Sequence, residues 1–169
     1  PSILQVPGAM DVALEFNSLS KTYNMAGWRV GMAVGSAVAV EALARTKTNI
    51  DSGIFLPIQD AAVAALTGDQ SWLAERNSVY HERRDLILGA LRELGIPAGE
   101  TRASLYIWAR VPKDYSSAEF ATRLLVDAGV SIAPGSAFGP HGEGFMRISL
   151  GMDTDRICEA MERLRRFEY

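Results

Sequence analysis

Glu15-Phe16-Asn17-Ser18-Leu19-Ser20-Lys21-Thr22-Tyr23-Asn24-Met25-Ala26-Gly27-Trp28-Arg29-Val30-Gly31 sets a short polar insert between two apolar runs. The run 12–16 leads into it and reads as a buried strand, and 30–34 resumes the strand pattern. Lys21 therefore stands at the end of one strand and Arg29 at the start of the next. A lysine at the edge of a buried sheet is partly desolvated, and desolvation favours the neutral amine. A neutral amine condenses with an aldehyde. Arg29, with the Ser18 hydroxyl, adds a fork-shaped donor set that suits a phosphate.

An aldehyde that also carries a phosphate is pyridoxal phosphate. The residue pattern carries a resemblance to the same effect. Ser18-Leu19-Ser20-Lys21, with Arg29 inside Gly27-Trp28-Arg29-Val30-Gly31, resembles the cofactor-lysine signature of the class I/II aminotransferases of fold type I. The wording from Ser18 to Arg29 is most similar to the subgroup that contains the bacterial LL-diaminopimelate aminotransferases. Ser18-Leu19-Ser20-Lys21 also fits the Ser-x-x-Lys pattern of penicillin-recognising enzymes, but no Ser-Asp-Asn or Lys-Thr-Gly accompanies it.

The resemblance covers essentially the whole chain and implies the C-terminal part of a pyridoxal-phosphate-dependent transferase fold, α/β and then α+β. Residues 1–79 read as a remnant of the large cofactor-binding domain and 80–169 as a small α+β domain. The cofactor lysine of such proteins normally lies past the middle of the chain, whereas here it is Lys21 and the first residue is Pro1. A fragment is therefore expected, inactive by itself. Its first two strands, deprived of sheet neighbours, are expected to be disordered or to pair with another chain. The resemblance assigns Lys21 as catalytic and places Ser18, Ser20, Lys21 and Arg29 around the cofactor, with Gly27 and Gly31 leaving room for it. It also implies amino-acid and 2-oxo-acid substrates, possible use of LL-diaminopimelate with 2-oxoglutarate, and a homodimer at full length.

Outward from that stretch, Ser36 is expected to cap a helix over 37–46. Asn49, Asp51 and Ser52 lie in a polar loop, most simply a turn, that in the resembling family can reach a neighbouring subunit. Pro57 opens a helix over 58–66, and Asp69 caps a long one to residue 94. The latter carries Arg76, His81, Glu82, Arg83, Arg84 and Asp85 on a face read as solvated. Residues 105–111 are rich in strand formers. Ser116-x-x-Glu119 is a capping box for a helix to 128, with Gly129 past its end. Strands follow at 130–133 and 145–150, separated by a glycine-rich loop, and a helix closes the chain. The resulting β-α-β-β-α order implies two helices on one side of a mainly antiparallel sheet.

In Gly144-Phe145-Met146-Arg147-Ile148-Ser149-Leu150, alternation sends Arg147 and Ser149 to one face and the apolar residues to the other. The resemblance makes Arg147 the residue that binds the substrate α-carboxylate, for which a guanidinium supplies two parallel hydrogen bonds. The glycine-rich loop fits neither a P-loop nor a dinucleotide fingerprint. His141 lacks a metal-ligand partner, so no metal is assigned. A formal charge of −3 gives no basic footprint for nucleic acid. No apolar run is long enough for a bilayer, and the single cysteine, Cys158, excludes an intrachain disulfide and reads as a small core residue. A cytoplasmic setting is the default. A decarboxylase, lyase or regulator on the same fold stays open, as does a non-enzymatic interaction module.

Overall fold

A computed structural model of the chain describes residues 2–168. It divides into two compact units that meet at Leu73 and Ala74, whereas the sequence put the division at 79/80.

The first unit begins with a 3-10 turn, Ile3–Gln5, and a short helix α1, Ala9–Val12. Strand β1 is Leu14–Ser18 and strand β2 is Gly31–Gly35. Between them lie α2, Leu19–Thr22, and a 3-10 turn, Ala26–Trp28. Helices α3, Ala37–Thr48, and α4, Leu56–Thr67, follow, the latter with a proline in its first turn. Val12, expected in a strand, belongs instead to α1. Ser36 stands at the N-cap of α3 but makes no capping hydrogen bond with its side chain.

The expectation that these strands would be disordered is corrected. β1 and β2 pair antiparallel with each other, Leu14 opposite Gly35 and Ser18 opposite Gly31. The connecting segment folds back over residues 19–30, which lets the two strands satisfy one edge of each other. Gly31 owes its lack of a side chain to this pairing. A Cβ there would stand 2.7 Å from the Asn17 carbonyl oxygen, so its room is taken up by β1. The core of this unit is small: Leu19, Met25, Val30 and Ala62, with Tyr23, Met32, Ile58, Ala61 and Ala65 packed against it.

Helix α5, Trp72–Glu93, starts just before the division and continues into the second unit. It begins three residues after Asp69, whose carboxylate accepts from the Ser71 backbone N–H at 2.9 Å and its hydroxyl at 2.5 Å. Then come β3, Tyr106–Arg110, α6, Ser117–Ala128, β4, Ala133–Pro134, β5, Phe145–Ser149, and α7, Thr154–Arg166. The sheet order is β3-β5-β4, antiparallel throughout. The strand expected over 130–133 shrinks to a two-residue edge. The capping box forms as read: the Ser116 side chain accepts from the Glu119 N–H, and Glu119 accepts from the Ser116 N–H. Gly129 closes α6 at φ 65°, in the left-handed region.

Alternation along β3 and β5 turns Ile107, Ala109, Met146 and Ile148 to one side, where Phe120, Leu124, Ile157, Met161 and Leu164 cover them. Three helices cover that face, because Ile87, Ala90 and Leu91 of α5 also belong to this core. Each fully buried side chain of leucine or phenylalanine size contributes about 1.5–3 kcal/mol. Two expectations are overturned. Cys158 is exposed, because the inward stripe of α7 is set by Ile157, Met161 and Leu164. Arg83 is not on a solvated face: only 15% of its side chain is exposed, and it donates to the Leu150 carbonyl and the Thr154 hydroxyl.

Candidate functional site

The first group of candidate residues gathers at one end of the β1–β2 hairpin. Ser18 is the last residue of β1 and faces Gly31 across the ladder. One further bond, Leu19 N–H to Val30 carbonyl at 3.3 Å, continues the ladder into the loop. Ser18, Ser20, Lys21 and Arg29 are thereby held at the same mouth. Ser18 also caps α2, its hydroxyl oxygen accepting from the Ser20 N–H at 3.2 Å. The Ser18 proton remains available to donate. Buried Leu19, Met25 and Val30 fasten the loop to the side of α4. The Tyr23 hydroxyl donates to Gln70 Oε1 at 3.1 Å, and its ring meets Trp72 edge-on.

Asn24 and Arg29 take left-handed backbone conformations, φ 55° and φ 52°. For an arginine this costs on the order of 1 kcal/mol. Arg29 is exposed, and one guanidinium N–H donates back to the Ala26 carbonyl at 2.9 Å. Lys21 is exposed on α2, which corrects the expectation of a partly desolvated amine at a strand end. The reason is local: a two-stranded ladder and one short helix leave the loop's outer side to solvent. As a donor set, one amine, two hydroxyls and one guanidinium within twelve positions fit a phosphorylated aldehyde.

Arg147 lies on β5 in the second unit, half-buried on the face opposite the core. Its guanidinium carbon stands 4.1 Å from the Tyr106 ring centre and 4.2 Å from that of Phe138. Trp108, directly across the ladder from Arg147, stacks on Phe145 at 5.6 Å and meets Phe138 edge-on at 5.8 Å. Arg110 lies over Phe145. Sequence reasoning placed Arg147 on this face and missed its aromatic surround. The signal was present in the alternation Tyr106-Ile107-Trp108 against Phe145-Met146-Arg147.

The glycine-rich loop beside Arg147 is tied down by Glu143. Its carboxylate accepts from the Ser117 N–H at 2.7 Å, the Ser117 hydroxyl at 2.9 Å and the Gly144 N–H at 3.0 Å. These donors, the Ser117 N–H foremost, hold the Glu143 carboxyl below its usual range. Asn49, Asp51 and Ser52 form a local turn: Lys47 pairs with Asp51 at 2.7 Å and donates to the Ser52 carbonyl. His141 is exposed, and among the described residues no cluster of His, Cys, Asp or Glu is placed to hold a metal. No helix among them is long and apolar enough to cross a membrane.

A family model described as aminotransferase class I and II matches residues 3–164. The chain is 54% identical over 166 residues to an LL-diaminopimelate aminotransferase of Moorella thermoacetica, covering 98% of this chain and 43% of that one. It is 51% identical over 163 residues to an LL-diaminopimelate aminotransferase of Oleidesulfovibrio alaskensis, covering 96% and 42%. Among solved structures it is similar to a probable N-succinyldiaminopimelate aminotransferase from Thermus thermophilus, with TM-score 0.91 and 39% identity over 98% of this chain and 45% of that one. An aromatic aminotransferase from Pyrococcus horikoshii matches with TM-score 0.91 and 33% identity, again over 98% and 45%. The chain thus spans less than half the length of the relatives it matches.

Proposed function

The chain belongs to the class I and II aminotransferase family, and on that footing we propose that a protein of its relatives' length carrying it transfers an amino group between an amino acid and a 2-oxo acid. Turnover is proposed for that length and not for the 169 residues alone. LL-diaminopimelate with 2-oxoglutarate is the proposed substrate pair, supported by the names of relatives at 51% and 54% identity. A homodimer working in the cytoplasm is part of the same proposal.

What supports this reading is that the segment carrying Ser18, Ser20, Lys21 and Arg29 is closed into one loop by the β1–β2 ladder. Pyridoxal phosphate, when bound, supplies an aldehyde that links amines and a ring that takes up electrons. Ser18, Ser20 and Arg29 would donate hydrogen bonds to its phosphate. Lys21 Nζ would link to its aldehyde carbon and, as a free amine, would be the base that takes the proton from the substrate Cα. Arg147 would hold the substrate carboxylate by two N–H groups. The extra length of the relatives would cover Lys21, excluding the water that meets it in this chain.

The test joins this chain behind the preceding segment of the Moorella relative. The hybrid is expected to turn over LL-diaminopimelate with 2-oxoglutarate. Lys21→Ala is expected to lower kcat by at least about 10²–10⁴-fold and to remove the visible absorbance of the lysine-linked cofactor. Turnover retained by Lys21→Ala would refute the role.

A further inference from the structure

Building on the proposed reading of Arg147 as the carboxylate anchor, we propose that Tyr106 and Phe138 are positioning residues that hold the Arg147 guanidinium by its flat surface and leave its N–H edge to an incoming carboxylate. The two ring centres lie 4.1 and 4.2 Å from the guanidinium carbon, well inside the range of attraction between a cation and a ring face. Among the described residues, no carboxylate or carbonyl accepts a hydrogen bond from the Arg147 N–H groups, although the residue is half-buried.

That combination has a chemical consequence. An acidic neighbour would orient an arginine by occupying its donors, and would then compete with the substrate's own carboxylate. A ring orients the same group through its π face, and the five N–H donors lie in the guanidinium plane. The cation is thus fixed while its full charge and its bidentate edge are kept for the ligand.

The rings are themselves held. Tyr106 sits on β3 one diagonal step from Arg147, since Trp108 is the residue directly opposite. Phe138 ends the 3-10 turn Gly135–Phe138 and meets the edge of Trp108 at 5.8 Å. The start of that turn is bound to the first residue of α6 by Ser136 N–H to the Ser117 hydroxyl at 3.3 Å. Phe138 itself remains 48% exposed, so its substitution leaves the buried core of this unit unchanged.

The test has two arms. In proton NMR of the 169-residue chain, the Arg147 Hε and Cδ protons are expected upfield of other arginines, and Tyr106→Leu and Phe138→Leu are each expected to remove part of that shift. In the hybrid, each leucine variant is expected to raise KM for both carboxylate substrates about tenfold with kcat within about twofold, while Tyr106→Phe stays at the parent KM. Phe138→Leu alters an exposed loop residue and carries the test should Tyr106→Leu fail to fold. Absence of the upfield shift, unchanged KM in the leucine variants, or equal KM for Tyr106→Phe and Tyr106→Leu overturns the proposal. Arg147→Ala separates the layers: unchanged KM there overturns the carboxylate reading itself, whereas raised KM there with unchanged KM in the ring variants overturns only the positioning role.

Discussion

Leu19→Ala should loosen the loop that bears Lys21 and leave the second unit intact. Leu19 is 1% exposed and opens α2, two positions before Lys21. With Met25, Val30 and Ala62 it makes the core beneath the loop. Truncating a buried leucine costs about 2–5 kcal/mol, least where the surroundings can collapse. Here Tyr23, Ile58 and Ala61 are only partly buried and one wall is the loop itself, so collapse is easy. The lower end, about 2–3 kcal/mol, applies. The core of the second unit shares none of these residues, so the loss falls on local opening. At about 1.36 kcal/mol per factor of ten, the loop amides should exchange roughly 30- to 150-fold faster. The reporters are the Leu19, Tyr23 and Trp28 N–H groups, bonded to Val30, Leu19 and Met25 carbonyls. Hydrogen exchange of the 169-residue chain, read residue by residue, is the assay. An equal rise in β3 and β5 amides would show that the units open together, and no rise in the loop would show that Leu19 does not anchor it. Either result refutes the reasoning.

Glu143→Gln should flatten the acid side of the stability curve. Because donors from Ser117 and Gly144 hold the folded carboxyl below its ordinary value of 4.5, the unfolded chain takes up the proton first. The stabilisation is therefore complete above about pH 4.5 and is lost as pH falls through the lower folded value. Thermal melts should show a shallower acid decline in the variant, with part retained because Glu119 and Asp69 are lowered by their own hydroxyl and backbone donors. An unchanged decline would contradict the role of Glu143. Gly135→Ala should destabilise the second unit by about 1–3 kcal/mol or more, since its Cβ would stand 2.0 Å from the Gly142 carbonyl oxygen and 2.7 Å from that of Phe145. A lowered urea midpoint at unchanged slope is the expected readout, and an unmoved midpoint would show that the loop gives way freely.

What the sequence disclosed follows from where each feature's partners lie in the chain. The capping box at Ser116 and Glu119 and the left-handed Gly129 are closed by neighbours three or four positions away, so composition and spacing reveal them. Arg83 looked solvated because its partners, Leu150 and Thr154, are 67 and 71 positions distant. Cys158 was misplaced by one position on a helix, enough to turn a side chain about 100° from the Ile157 stripe. Lys21 reads as partly desolvated because the run 12–16 looks like a buried strand, whereas a ladder of only two strands leaves it exposed.

The two candidate sites divide along the same line. Ser18, Ser20, Lys21 and Arg29 belong to one segment whose ends are joined by the β1–β2 ladder, so a contiguous reading takes in all four candidates. Tyr106, Phe138 and Arg147 come from three segments and meet only through the β3–β5 register and the folded glycine-rich loop. Alternation told which face Arg147 would occupy, but the rings that gather around it are a product of pairing. A one-residue slip of β3 against β5 would send Tyr106 and Trp108 into the core and bring Ile107 out beside Arg147. The packing of Ile107 and Ala109 against Phe120 and Leu124 therefore does two things at once: it stabilises the second unit, and it fixes the surroundings in which Arg147 presents its charge.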